Sequence, residues 1–118
     1  MKPSEALKDR TLRFALKIIE LADLLPNKRS ADILGKQIIR SATSVGANYR
    51  AACKARSKAD FISKIIVVEE EADESQYWLE LLMSLEKGDQ HEIASMLEEA
   101  RELTAIFTAS GKTAKQNR

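Results

Sequence analysis

Lys36, Arg40, Arg50 and Lys54 fall on one face of a helix when residues are placed 100° apart, with Thr43 and Ala47 between them. Arg10, Arg13 and Lys17 form a similar outward set on the preceding segment, and Arg56 and Lys58 carry the ridge into the next turn. Cations spaced this way neutralise backbone phosphates and release counterions, and small residues among them let a backbone approach. The ligand of such a ridge would be RNA or DNA. The same cations also suit a solvated face, or bridges to acidic helices of the same bundle. Arraying copies of the ridge in an oligomer would multiply weak contacts by avidity.

No arrangement of side chains suited to making or breaking bonds is found. A di-iron site in a helical bundle needs Glu-x-x-His on two helices. This chain has one histidine, His91, with Gly88 three residues before it. Glu69, Glu70, Glu71, Asp73 and Glu74 carry enough charge for a hard cation, but they spread around a helix and read as a solvated or ion-paired set. Glu69, Asp73 and Glu80 flank the inner stripe, where Ser41, Gln37 or Asn48 of a facing helix would donate to them. Cys53 has no second histidine motif to activate it, and its place beside an apolar stripe predicts a core role. The four glycines are too scattered for a phosphate loop. The sequence therefore predicts no enzyme, no metal site and no cofactor.

Four helical segments must position these residues. Hydrophobic residues make up 44% of the 118 and charged residues 31%, with four Gly and two Pro, a balance that favours long helices over many strands and turns. The first helix is expected over about 4–25, with Leu7, Thr11, Ala15, Ile18, Ala22 and Leu25 as its stripe and Leu12 and Ile19 beside it, stopped by Pro26. The second, about 30–55, carries Leu34, Ile38, Ala42, Val45, Tyr49 and Ala52. Gly35 and Gly46 on its edge would let a neighbour approach closely. The third, about 58–87, opens on a capping box of Ser57 and Asp60 and closes at Gly88 as a C′ glycine. Its inner stripe is Phe61, Ile65, Val68, Ala72, Gln76, Leu79 and Met83. The fourth, about 90–109, opens on Asp89 and buries Ile93, Met96, Leu97, Ala100, Leu103 and Phe107, with Gly111 ending it. Short links force antiparallel neighbours, so the fold class is all-α, an up-down-up-down four-helix bundle over residues 1–111, followed by a polar, basic, frayed tail at 112–118.

The third helix is apolar outside as well as inside. Ile66, Val67, Tyr77, Trp78 and Leu81 fall away from the inner stripe and share the outer face with Glu70 and Glu74. An apolar, aromatic outer face marks an interaction site, so a subunit interface is expected there. A wide core helix, with Tyr77 and Trp78 packed inside the same bundle, is the other reading. Charge divides along the chain. Residues 1–64 hold 14 basic and 6 acidic side chains, and residues 65–118 hold 5 and 12. The two halves can pair within one bundle, or head to tail between copies that close into a ring. The lone cysteine allows no intrachain disulfide and suits a reducing cytoplasm. Met1 to Glu5 show no apolar run of a secretory signal, and no stretch approaches the ~18 apolar residues that would span a membrane.

The stretch Arg40-Ser-Ala-Thr-Ser-Val-Gly-Ala-Asn48-Tyr-Arg-Ala-Ala-Cys-Lys-Ala-Arg56-Ser-Lys-Ala-Asp60-Phe, with Val68-Glu-Glu-Glu71-Ala-Asp-Glu74-Ser-Gln-Tyr-Trp78-Leu-Glu-Leu-Leu82, resembles the bacterial four-helix-bundle family also called the 23S rRNA-intervening-sequence proteins. The similarity covers about residues 6–109. Many relatives read Asn-x-x-Glu-Gly in the second helix, where this chain keeps Asn48 but has Ala51 and Ala52. The resemblance implies an up-down bundle that assembles as a homopentameric ring. It extends to the accessory protein of diversity-generating retroelements, a pentameric barrel that binds nucleic acid and a reverse transcriptase. The expected partners are thus the chain itself, RNA or DNA through the ridge, or, for an adaptor, a protein such as a reverse transcriptase.

Overall fold

Each helix begins and ends where local chemistry dictates. The computed structural model describes residues 2–117, in the order α1 (Pro3–Asp23), α2 (Arg29–Cys53), α3 (Lys58–Ser84) and α4 (Gln90–Gln116). Pro3 opens α1 with the φ its ring already imposes. Ser57 caps α3 by accepting from the Asp60 backbone N–H at 3.1 Å, while the Asp60 carboxylate accepts from the Arg56 N–H at 3.2 Å. The capping box is therefore present with its return bond one residue further out than the usual pattern. Asp89 caps α4 by accepting from the N–H groups of His91 and Glu92.

The end of α3 differs from expectation. Its closing bonds run from Lys87 N–H to the Leu82 carbonyl at 2.9 Å and from Glu86 N–H to the Met83 carbonyl at 3.1 Å. That is a Schellman pair with Glu86, not Gly88, at the left-handed C′ position, φ +54°. Gly88 has φ +81°, and a Cβ there would lie 2.7 Å from Leu25 Cδ2 at the end of α1. The left-handed backbone is what calls for glycine at 88, since the end of the Leu25 side chain can turn aside. At the far end, Gly111 does not stop α4. It is buried, facing Ile65 of α3, and the helix continues to Gln116, through most of the segment expected to fray.

The helices run up, down, up and down within 49 × 24 × 20 Å. α3 packs closely on both α2 and α4, α2 also holds α1, and α1 meets α4 only sparsely. Ile18, Ile38, Val45, Ile65, Val68, Leu79, Leu82, Ile93, Leu103 and Phe107 are fully buried along the axis, each stabilising the fold by about 1.5–3 kcal/mol relative to exposure. Tyr49 and Phe107 join the diagonal helices α2 and α4, ring centroids 5.3 Å apart. The buried Ser75 hydroxyl lies 2.9 Å from that of Ser41, satisfying a polar pair between α3 and α2. At Gly46 an added Cβ would sit 3.1 Å from the Thr11 hydroxyl oxygen, so α1 and α2 approach closely where glycine allows it. The α1 stripe is rotated from its expected setting. Phe14 and Leu21 enter the core, while Ala15 moves to the rim.

Glu86→Gly should raise stability by about 0.5–1 kcal/mol by removing a side chain from left-handed backbone. Gly88→Ala should lower it by more than that. Urea midpoints of the two variants against the parent check both signs.

Candidate nucleic-acid and self-association surfaces

The structure sorts the cations of the predicted ridge into paired and free. Lys36 bridges Asp32 on its own helix at 3.2 Å. Arg40 reaches across to α3, with Nη1 at 3.3 Å from Glu71 and Nη2 on Glu74, while its Nε donates to Gln37. Arg10 crosses the thin α1–α4 seam, donating to Glu99 through Nε at 2.8 Å and Nη2 at 2.6 Å, with Glu102 at 3.5 Å. The hydrogen bond to Glu99, above all, holds its guanidinium still more firmly protonated than usual. Arg13 pairs with Asp9 at 3.0 Å. Lys17 lies exposed beside the same α1–α4 cleft.

Among the described residues, Lys17, Arg50, Lys54, Arg56 and Lys58 are the predicted ridge residues that make no ion pair. All five are exposed. Four of them gather at the corner where α2 ends and α3 begins. Lys112 and Lys115, in the last turns of α4, are exposed at the same end of the bundle. At the opposite end, Glu80, Glu86, Asp89 and Glu92 surround the α3–α4 turn. The charge division of the sequence separates the α1–α2 side of the bundle from the α3–α4 side, and Lys28 and Arg29 stand at the same end as these acids.

The outer face of α3 lies on the surface. Val67 is 40% and Tyr77 54% exposed, and Ile66, Trp78 and Leu81 are half-buried. Trp78 presses one side on the core, and its indole N–H donates to Glu74 at 3.0 Å. Its ring meets Tyr77 edge-on, centroids 5.1 Å apart. Trp78 packs partly on the core, as a wide core helix would have it, and Tyr77 stands outside. Glu70 is exposed and has no ion pair among the described residues, whereas Glu74 holds Arg40 and Trp78 together.

The remaining polar candidates are structural. Glu69 accepts from Thr108 of α4, and Gln76 donates to Thr104 at 2.7 Å, so these α3 residues join α4 rather than α2. The Asn48 side chain donates instead to the Ser44 carbonyl within α2. Among the described residues no cluster of three His, Cys, Asp or Glu could hold a metal ion. Cys53 is exposed rather than core, because it is the last residue of α2 at the rim of the bundle. Burial, with the neighbouring Cys53 thiol, pushes the Tyr49 phenol above its usual range.

One exposed surface lies outside the sequence reading. Leu12 and Leu16 of α1 are 55% and 51% exposed and line a groove against α2. The signal was present: Leu12, Leu16 and Ile19 repeat at four and three, a second helical stripe on the same segment.

With fold and surfaces in place, comparison with known proteins defines the class. The model of the 23S rRNA-intervening sequence protein family matches residues 6–109, and the chain belongs to that family. It is similar, at 39% identity and a TM-score of 0.82, to a crystal structure from Bacteroides thetaiotaomicron described as a protein of unknown function of the S23 ribosomal protein family, over 89% of this chain and 97% of that one. No curated protein is detectably similar. No helix among the described residues is long and apolar enough to cross a membrane.

Asp60 supplies a pH test of the corner. The Lys64 ammonium first, then the Arg56 N–H, hold its carboxyl below the usual carboxylate range. A depressed folded-state pKa contributes stability above a pH of about 4 that is lost as pH falls through the depressed value. Asp60→Asn should therefore be less stable than the parent at pH 7, and the two should converge in acid. Denaturation at pH 7, 4 and 2 measures the gap.

Proposed function

We propose that this protein is a non-enzymatic scaffold that assembles copies of itself into a ring, five by the family resemblance, through the outer face of α3. It binds nucleic acid weakly, in the cytoplasm, through the basic corner. The observation that carries the reading is the exposed Val67 and Tyr77 beside a Trp78 whose indole is already fixed by Glu74. Aromatic side chains held in place lose little freedom when a partner covers them. For the nucleic acid, Lys54, Arg56 and Lys58 are exposed and free of ion pairs among the described residues, so phosphates meet them without breaking internal bridges. Arg40, by contrast, would have to leave Glu71 and Glu74. One corner offers few charges, and a ring gathers several corners and multiplies weak contacts. The family's link to rRNA intervening sequences favours structured RNA as the ligand.

Val67→Asp/Tyr77→Asp should lower the solution mass to that of one chain while circular dichroism stays helical. A parent-like mass would overturn the α3 reading. Fluorescence anisotropy of a labelled RNA hairpin should show affinity falling with salt, each lost phosphate contact lowering the log–log slope by about 1. Arg56→Glu/Lys58→Glu should weaken binding far more than Lys36→Glu. Equal loss in both would move the site off the corner. Capture of a protein partner that survives nuclease treatment would instead favour an adaptor, such as one docking a reverse transcriptase.

A further inference from the structure

The bundle leaves a second apolar surface uncovered, on the side formed by α1 and α2. Leu12, Leu16 and Ile19 wall a groove of about 650 Å³, and Thr43, Gly46 and Ala47 form its floor. Thr43 and Ala47 keep the floor low, while Thr11 takes up the space over Gly46. The α3 face of the same chain cannot fill it. α1 and α3 occupy diagonal corners of the bundle with no close backbone approach, so their outward faces point away from each other. In two copies, however, ridge and groove can meet. The ridge is convex, built on Tyr77 and Trp78, and the groove is concave.

Charge selects the same pairing. At the groove, Lys8 and Asp9 are already bridged to Glu5 and Arg13, which leaves Arg50 as the lining charge with no ion pair. On the ridge, Glu74 is engaged by Arg40, which leaves Glu70. An unpaired cation in an apolar groove and an unpaired anion on an apolar ridge complement each other.

We propose that the α1–α2 groove receives the outer face of α3 from a second copy of this chain, with Arg50 meeting Glu70. The proposal rests on α3 being the self-association surface, and it adds where that surface lands. The contact joins two different patches, so it repeats head to tail and closes only as a ring. An α3-to-α3 contact would be two-fold and stop at a dimer.

The test uses full-length Tyr77→Asp, which disables the ridge, and full-length Leu16→Asp, which disables the groove. Each is checked for helicity and weighed by light scattering, alone and in equimolar mixture. Alone, each should have the mass of one chain. Mixed, the intact groove of one meets the intact ridge of the other, and the mass should rise to two chains and no further. Recovery in the mixture also shows that both variants are folded. Arg50→Glu should weaken assembly of the parent, and adding Glu70→Arg should restore it. If Leu16→Asp keeps the parent mass while Tyr77→Asp dissociates, the groove is not the receptor and the α3 reading stands. If Tyr77→Asp also keeps the parent mass, both fall. Two helical single-chain variants that stay apart on mixing would overturn the head-to-tail pairing.

Discussion

The structure depends on α3 carrying apolar side chains on two of its faces. Ile65, Val68, Ala72, Leu79 and Leu82 face the axis and hold α2 and α4 on either side. Val67, Tyr77 and Leu81 face out. A helix that is apolar on one stripe needs only its own bundle, whereas one apolar on two sides needs cover on both. The inner side is covered within the chain. The outer side has only Trp78 tied back, through its indole N–H to Glu74 and from there to Arg40 of α2. That chain of contacts stiffens the ridge and, at the same time, removes Arg40 from the set of free cations.

Ion pairing therefore decides which cations stay open as much as charge count does. Nine cations were eligible as a phosphate ridge, and internal carboxylates claim Lys36, Arg40, Arg10 and Arg13. All that survives except Lys17 is gathered at one end of the bundle, where α2 stops and α3 starts. In a ring built head to tail, a rotation axis parallel to the bundles would bring these basic corners onto one rim. Surface pairs are individually worth little, so their chief effect here is to choose which cations remain open to a partner. Arg10 has a separate task, bracing a seam where α1 and α4 share few apolar contacts and a cleft of about 470 Å³ remains.

Much of this was legible in the residues. The α4 stripe from Ile93 to Phe107 is buried as its spacing requires, and α2 follows from Ile38 to Ala52. Ser57, Asp60 and Asp89 cap the helices they precede. Less was legible where two registers compete. On α1 the spacing of Leu7, Ala15 and Ala22 hid the one chosen by Phe14 and Leu21, since the larger side chains gain more from burial. The same rotation exposes Leu12 and Leu16 and creates the groove. Glycine misled at both helix ends: Gly88 lies beyond a C′ site held by Glu86, and Gly111 is buried within α4. Which cation meets which carboxylate depends on how helices rotate against one another, so no spacing rule within one helix could show Arg40 on Glu71 or Arg10 on Glu99.

The most direct test of the account is the mass of the unmodified protein in solution, by light scattering after size exclusion at micromolar concentration, in low and high salt. An apolar ridge with a receptor groove on the same chain predicts a closed assembly of several 13.2 kDa chains, five if the family resemblance holds, that persists in high salt because apolar contact rather than surface charge holds it. A single 13.2 kDa species in both salts would contradict it and return the α3 face and the groove to solvent.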